Sequence, residues 1–220
     1  MHARVLRCTA CESSHRTGVL RDTSENIPQP GYVGKNYIRS RVVFVGQNPG
    51  ICPDRLRNEV APYMAALHTL RDNPSPQALA EFRRAMEEFS PSWALFQRYL
   101  PLSDCGLQFD QIAYFNVVRC RTFMNASPRI GPTRMCTENH FRDWLRLLRP
   151  KCVIFLGKWG YDEAGHVPQR LGICTDFLDR SRSLSREVRA RNRQRIIELV
   201  KRIAAQPGAY SGQPASPPAR

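Results

Sequence analysis

A polar turn after an apolar run carries the first side chains that could take part in a reaction. Residues 42–45 form an apolar run that leads directly into the segment Gly46-Gln47-Asn48-Pro49-Gly50. This pattern predicts a buried strand that ends in a tight turn. In an open α/β sheet such a turn lies at the carboxyl end of a strand, where ligands bind. The amides of Gln47 and Asn48 are therefore candidates for chemistry, and an ordinary strand-to-loop exit is the alternative.

Four of the eight cysteines have positions that could make a metal site. Cys8 and Cys11 form a C-x-x-C pair, which fits zinc, a redox pair or an iron–sulfur site. Cys120 follows a predicted strand, and Cys136 lies sixteen residues later at the start of a predicted helix. The four thiolates could meet at one centre if the N-terminal segment folds back. The other four are interpreted as small core residues or incidental thiols: Cys52, Cys105, Cys152 and Cys174.

The charge balance favours a polyanionic partner. The 220 residues carry a formal net charge of +14 with a pI near 10.0, and nucleic acid is the commonest partner of such a chain. An arginine-rich but merely solvated surface is the alternative. The arginines concentrate in a basic run near the end of the chain: Arg182, Arg186, Arg189, Arg191, Arg193 and Arg195. Phosphate contacts from this run would give sequence-independent affinity that falls with salt.

Two kinds of apolar segment are missing from the sequence, and their absence sets our expectations for membrane association and compartment. No stretch of about 18 apolar residues is present, so we expect no membrane span. The N-terminal residues have no apolar signal core, so we expect a reducing compartment, where metal binding or free thiols are more common than disulfides.

Strands alternate with helices along most of the chain. The predicted strands cover residues 41–45, 109–118, 152–157 and 174–178. The predicted helices cover 54–72, with an interruption near Pro62, and then 77–89, 90–100, 133–149 and 185–205. This alternation predicts a parallel sheet covered by helices on both faces. We expect one domain over residues 1–205 and a disordered tail over 206–220, which is rich in Pro, Gly, Ser and Ala.

The order of these motifs resembles the iron–sulfur branch of the uracil-DNA glycosylase superfamily. The resemblance runs from Cys8 to the 180s, and its most specific part is residues 115–121, Phe-Asn-Val-Val-Arg-Cys-Arg, with the cysteine sixteen residues further on. It implies a three-layer α/β/α fold with a mostly parallel four-stranded sheet. It also implies a [4Fe–4S] cluster, with zinc as the alternative, held by four residues: Cys8, Cys11, Cys120 and Cys136.

The same resemblance implies an activity and a partner. The activity is hydrolysis of the N-glycosidic bond of a flipped, deaminated base, uracil first among them, in base-excision repair. The partner is single- or double-stranded DNA that contains a damaged base, and we expect a monomer with no membrane partner. The cluster would tie the N-terminal segment to the helix near Cys136 and would perform no redox chemistry.

Two motifs depart from the iron–sulfur branch. That branch has an acidic residue where Gln47 stands, and the turn here is more similar to the G-x-N-P-G turn of the mismatch-specific and single-strand-selective branches. The asparagine of that turn positions the attacking water, so Asn48 takes this role by resemblance. Related enzymes also carry a His-Pro-Ser motif after the last strand. The comparable residues 177–183 here read Phe-Leu-Asp-Arg-Ser-Arg-Ser, without histidine.

Further site residues follow from the chemistry that base excision needs. Uracil offers O4 as an acceptor and N3–H as a donor, and the amide of Asn116 can match both when its orientation is fixed. The family places an aromatic ring after a proline beyond the glycine turn, which makes Tyr63 the stacking candidate, with a half-buried helix tyrosine as the alternative. The remaining candidates are Gln47 and Asp179 for catalysis, Gly46 and Ser181 for base binding, and Arg180, Arg182 and Arg186 for DNA binding.

Two other functions stay open on the sequence alone. The missing histidine motivates a protein of the same fold that binds nucleic acid or a damaged base without cleaving it. The cysteines also fit a zinc-stapled module in which all four thiols are structural.

Overall fold

The computed structural model describes residues 1–12, 14–21, 26–50, 57–89, 96, 99–100, 102–181 and 183–206. The strands in these ranges are β1 Val19–Leu20, β2 Tyr32–Val33, β3 Val42–Gly46, β4 Ile112–Asn116, β5 Arg121–Thr122, β6 Cys152–Leu156 and β7 Cys174–Leu178. The α-helices are α1 His2–Leu6, α2 Tyr37–Ser40, α3 Arg57–Asp72, α4 Pro76–Phe89, α5 Ile130–Cys136, α6 Arg142–Leu148, α7 Lys158–Ala164, α8 His166–Arg170 and α9 Arg186–Ala205. The predicted helix over 90–100, the predicted tail, Cys52 and Arg182 lie largely or wholly outside the described residues.

The central sheet has the strand order β2-β4-β3-β6-β7. Strands β4, β3, β6 and β7 are parallel to their neighbours, whereas β2 is antiparallel to β4. The sequence therefore predicts the four parallel strands and the α/β class, and both are confirmed. It does not predict β2, because a strand of two residues carries no alternating pattern that could reveal it.

The helices cover the sheet on both faces, which explains why its central strands are continuously apolar. Every residue of β3 and β6 is buried. On one face β4 and β6 pack against Phe141 and Trp144, and on the other face β3 and β6 pack against Ile196 and Val200 of α9. These two cores make the molecule a three-layer α/β/α structure.

Helices α3 and α4 form a hairpin beside the sheet. Helix α3 continues through Pro62, so the interruption that we expected there is wrong. The two helices enclose a separate apolar cluster that includes Leu67, Phe82 and Met86. This cluster accounts for the helical spacing of apolar residues in the α4 sequence.

The N-terminal segment folds back onto the end of β4. Strand β1 pairs antiparallel with β5, so that Val19 lies opposite Thr122. Gln29 donates its backbone N–H to the carbonyl of Arg119 at 2.8 Å. Because β5 begins next to Cys120, this pairing brings the first cysteines of the chain toward the later ones.

Helix α9 begins at a capped end and carries the basic run. The side chain of Ser185 accepts a hydrogen bond from the backbone N–H of Val188 at 3.3 Å, as expected of an N-cap residue. Ile196, Ile197 and Val200 form its buried stripe, and its other faces carry the arginines. None of the helices in the described part of the chain is long and apolar enough to cross a membrane.

Candidate active site

The carboxyl ends of β3 and β4 place the two asparagines at one edge of the sheet. Gly46, the last residue of β3, lies opposite Asn116, the last residue of β4. Beyond the strands, Val118 donates its backbone N–H to the carbonyl of Gln47 at 3.0 Å. Asn48 therefore follows β3 at the edge where β4 ends in Asn116, and the half-buried Gln47 is anchored through its backbone carbonyl.

The amide of Asn48 is held in one orientation by a neighbouring hydroxyl. Its Nδ2 donates to Oγ1 of Thr122 at 3.0 Å and to the carbonyl of Pro49 at 3.2 Å. The hydroxyl of Thr122 in turn donates to the carbonyl of Ala126 at 2.6 Å. Both amide hydrogens of Asn48 are thus in use, and its Oδ1 has no donor among the described residues. The arrangement leaves an acceptor that can hold a water molecule.

The amide of Asn116 is held through its oxygen, whereas that of Asn48 is held through its nitrogen. Asn116 is buried, and its Oδ1 accepts a hydrogen bond from the hydroxyl of Tyr114 at 3.2 Å. Burial raises the pKa of Tyr114 to about 12, although the charge of Arg180 opposes that rise, so the hydroxyl keeps its proton at neutral pH. The Nδ2 group of Asn116 has no acceptor among the described residues and is available to a ligand.

Glycine is required at position 46 because Asn116 packs against its backbone. A Cβ atom added to Gly46 would lie 2.2 Å from Oδ1 of Asn116 and 2.9 Å from the hydroxyl of Tyr114. Neither distance is compatible with ordinary van der Waals contact. The predicted base-binding residue Gly46 therefore contributes by its lack of a side chain, which lets Asn116 stand at the strand end.

Tyr63 lies in the core between α3 and α4. Only 6% of its surface is exposed, and its ring stacks on Phe89 at 5.9 Å and tilts against Phe82 at 6.0 Å between ring centroids. Both neighbours belong to α4, so the ring takes part in the packing of α3 against α4. The packing favours the alternative interpretation, a core tyrosine of the helix, so we leave Tyr63 out of the proposed site.

The residues after β7 form a compact turn at the same edge of the sheet. Oδ1 of Asp179 accepts the backbone N–H of Ser181 at 2.9 Å, and the side chain of Ser181 shares a hydrogen bond of 2.7 Å with Ser183. The backbone N–H of Asp179 donates to the side chain of Asn192 at 2.7 Å. One carboxylate oxygen of Asp179 is thus used in shaping the turn, and the serine is exposed beside it.

A basic pocket lies where this turn meets α9. It has a volume of about 250 Å³, and its lining includes Tyr99, Arg180, Arg186 and Arg189. The guanidinium group of Arg180 lies 4.9 Å from the centre of the Tyr99 ring. Arg186 and Arg189 form no salt bridge with a described carboxylate, which leaves them available for phosphates.

Two other arginines of the basic run are already paired with carboxylates. Arg193 forms a salt bridge with Asp104, and Arg195 forms one with Asp176. These two side chains stabilise the packing of α9, and the predicted DNA-binding face is accordingly narrower than the basic run in the sequence.

The four predicted cluster ligands lie near one another. A hydrogen bond with Cys136 lowers the pKa of Cys11, and the same bond raises the pKa of Cys136. Burial raises the pKa of Cys120 to about 12, with smaller contributions from Cys136 and Cys8. As the side chains stand, no three His, Cys, Asp or Glu residues in the described ranges form a group that could hold a metal ion.

Arg119 is a buried cation beside these thiols. Its side chain is 1% exposed, and neither Nε nor Nη2 has a hydrogen-bond partner. Its guanidinium group lies 4.6 Å from the ring centre of Phe115 and shares the thiol neighbourhood, where its backbone N–H bonds to the sulfur of Cys136. A buried cation is costly without an opposite charge. Thiolates that hold a metal would supply that charge.

The other described cysteines lie away from this group. Cys105 is buried, and Cys152 and Cys174 face each other across β6 and β7 at the opposite ends of the strands from the asparagines. Their pairing was not visible in the sequence, because it depends on the register of two strands. All are free thiols, as we expected of small core residues.

A comparison with protein families decides the identity of the fold. Residues 34–201 match the model of the Uracil DNA glycosylase superfamily. The chain belongs to the uracil DNA glycosylase superfamily. A search of curated proteins finds no match. Proteins of this superfamily are generally DNA glycosylases and act on DNA.

The matched range includes the asparagine site but only part of the predicted cysteine cluster. It contains the glycine turn, Asn116, the later cysteines and the turn after β7, all of which the superfamily match covers. It begins after Cys8 and Cys11, so it does not address the iron–sulfur branch. Thr122 and Tyr114 are the residues that sequence reasoning missed, because each acts through a hydrogen bond to an asparagine that no spacing pattern encodes.

Proposed function

We propose that the protein is a DNA glycosylase that hydrolyses the N-glycosidic bond of a flipped, deaminated base, with uracil as the first substrate to test. The observation that carries the proposal is the pair of asparagines at adjacent strand ends, one presenting an acceptor and the other a donor. Its place in the superfamily supplies the class of reaction.

Asn48 would orient the attacking water. Its Oδ1 can accept a hydrogen from a water molecule, while Thr122 prevents the amide from turning round. An amide is not a strong base, so Asn48 positions the water and does not deprotonate it. The reaction therefore depends on departure of the base, which leaves positive charge on the sugar and negative charge on the base. The water then bonds to the sugar, and the proton that it releases neutralises the base.

Asn116 would bind the edge of the base and stabilise that negative charge. Its Nδ2 can donate to a carbonyl oxygen of the base, where the charge develops. Arg180 adds a positive charge on this side of the site, since its charge acts on Tyr114. These groups would take the part that a histidine plays in related enzymes, and Asp179, Gln47 and Ser181 stay predictions for supporting roles.

Cys8, Cys11, Cys120 and Cys136 would hold a [4Fe–4S] cluster. Four thiolates suit such a cluster, and the buried charge of Arg119 suits its negative charge. The cluster, when bound, would crosslink the N-terminal segment to α5 and would supply no group to the hydrolysis. Zinc is the alternative metal, and the iron and zinc contents of anaerobically purified protein distinguish the two.

Single- or double-stranded DNA would lie along the edge that carries the asparagines. Arg186 and Arg189 would contact its phosphates, and Arg180 extends this surface toward the base pocket. Arg182, also predicted to bind DNA, lies outside the described residues.

The test is a panel of labelled oligonucleotides that contain uracil, hypoxanthine or xanthine, in single- and double-stranded form. We expect an abasic product from the uracil strand with protein whose metal content has been verified. If no damaged base is released from any strand, the proposed activity is refuted.

A protein that binds damaged bases without cleaving them is the second candidate, favoured by the absence of histidine from the turn after β7. It predicts salt-dependent DNA binding that Asn48→Ala leaves unchanged, and no turnover. Catalytic release of free base would exclude it.

A further inference from the structure

We propose that the hydroxyl of Tyr114 is a specificity-determining group, because it fixes which edge of the Asn116 amide faces the base. The proposal rests on the proposed function, since it concerns the same base pocket. Tyr114 would act through Asn116 and is therefore a positioning residue.

Two contacts hold the amide of Asn116 in one orientation. Oδ1 accepts the hydroxyl hydrogen of Tyr114 at 3.2 Å, and the same oxygen packs against the backbone of Gly46. If the amide turned round, one hydrogen of its NH2 group could donate to the hydroxyl oxygen of Tyr114, but the other would face the CH2 of Gly46, which cannot accept it. The orientation with the oxygen toward Tyr114 and the nitrogen away from it is therefore favoured.

The fixed amide presents a donor and one remaining acceptor lone pair in a set order. That order matches bases with a carbonyl group next to a ring N–H, such as uracil and hypoxanthine. Cytosine and adenine present an amino group next to an unprotonated ring nitrogen, which is the reverse order. The site would therefore select oxo bases over amino bases, and the selectivity would depend on a hydroxyl that does not touch the base.

The test uses binding, so that it does not depend on catalysis. Oligonucleotides that carry 2′-fluoro-deoxyuridine or 2′-fluoro-deoxycytidine resist cleavage, and their dissociation constants give the preference for uracil over cytosine. The preference is measured for the wild-type protein, for Tyr114→Phe and for a control, Tyr37→Phe. The control also removes a buried hydroxyl. In the wild type this hydroxyl donates to the carbonyl of Leu148 at 3.3 Å, on the other face of the sheet.

We expect the wild type and the control to prefer uracil, and Tyr114→Phe to lose about tenfold of that preference, the effect of one hydrogen bond. Tyr114→Met, which also lacks the hydroxyl, replaces the Phe variant if the latter does not fold. An unchanged preference in a folded variant would overturn the role of Tyr114, as would a wild type without preference. A Tyr114-dependent preference without base release would refute only the proposed glycosylase activity.

A different observation, the loop after β5, carries a second inference. Met124 is 93% exposed and has φ of 53°, and the next residue, Asn125, has φ of 56°. Two successive left-handed residues that are not glycine are uncommon and cost free energy. The loop is nevertheless closed firmly, because Ala126 accepts the hydroxyl of Thr122 and donates its N–H to Phe123 at 3.0 Å.

This loop stands beside the catalytic turn. The hydroxyl that closes it is the one that holds Asn48, and Oδ1 of Asn125 lies 3.8 Å from the position of a Cβ on Gly50. We infer that Met124 is a wedge that enters the base stack of double-stranded DNA when the target nucleotide leaves it. Flexible apolar side chains such as methionine serve this purpose in proteins that unstack bases.

The test compares Met124→Ala with Leu147→Ala, which truncates another exposed apolar side chain, on α6. Binding to a 2′-fluoro-deoxyuridine duplex is followed by the fluorescence of 2-aminopurine next to the uracil, which rises on unstacking. We expect Met124→Ala to lose most of this rise and to bind duplex about tenfold more weakly, with single-strand binding unchanged. Equal effects on duplex and single strand, or no effect on either, would overturn the wedge.

Discussion

Replacing Gly46 with alanine is the perturbation whose result follows most directly from the geometry. The new Cβ would lie 2.2 Å from Oδ1 of Asn116, and Cβ atoms essentially never approach other atoms closer than 3.0 Å, so Asn116 must move by about 0.8 Å. A misplacement of about 1 Å can cost about 100-fold in rate. Overpacking of this kind lowers the free energy of unfolding by only about 1–3 kcal/mol.

The assay is single-turnover release of uracil from a labelled oligonucleotide, with thermal unfolding followed in parallel. Gly131→Ala is the matched control, because a Cβ there meets nothing within 4 Å. We expect the control to keep the wild-type rate, and Gly46→Ala to lose about 100-fold while still folding cooperatively. If Gly46→Ala keeps a rate within threefold of wild type, Asn116 does not need its present position and the proposed base pocket is wrong.

Three further predictions test other parts of the site. Thr122→Val removes the acceptor that holds Asn48, and it should slow single-turnover release of uracil about tenfold without weakening DNA binding. An equal loss of rate and of DNA affinity would count against this role of Thr122. Replacing Arg186 and Arg189 with glutamine should reduce the slope of log Kd against log salt concentration by about one to two. An unchanged slope would mean that these two arginines do not contact the DNA phosphates. Cys120→Ser should lower the iron content and the folded yield, whereas full iron occupancy in a folded variant would remove this thiol from the cluster.

The elements that carry the two asparagines could be predicted from the sequence because their signals are local. Strands β3 and β6 are continuous apolar runs, with Gly46 at the end of one and Gly157 directly after the other, and short apolar runs bounded by turn residues are typical of buried strands. The helices around the sheet show apolar residues at helical spacing for the same reason. Asn48 and Asn116 could then be predicted as site residues, because Asn116 ends β4 and Asn48 lies two residues after the end of β3.

The contacts that orient those asparagines could not be predicted. Thr122 and Asn48 are far apart in the chain, and their hydrogen bond depends on how the segment after β4 returns along the turn. The burial of Tyr63 depends on Phe82 and Phe89 of the next helix, so a family-based expectation placed it in the site when packing places it in the core. Side-chain partners across the fold are tertiary information, and local spacing does not contain them.

The buried charge of Arg119 is the strongest physical support for a metal at the cysteines. Its Nη1 donates to the carbonyl of Pro30 at 3.1 Å, but Nε and Nη2 have no partner, which is unusual for a side chain that is 1% exposed, since buried polar groups are normally hydrogen-bonded. Cys120 and Cys136 are its neighbours, and as thiolates on a metal they would supply that negative charge.

The most direct test of the central claim is the rate of abasic-site formation on uracil-containing DNA by the wild type and by Asn48→Ala, measured under single-turnover conditions. The proposed mechanism predicts base release by the wild type and a loss of about 100-fold or more in the variant, with DNA affinity unchanged. Equal rates for the two proteins, or no release by the wild type, would contradict it.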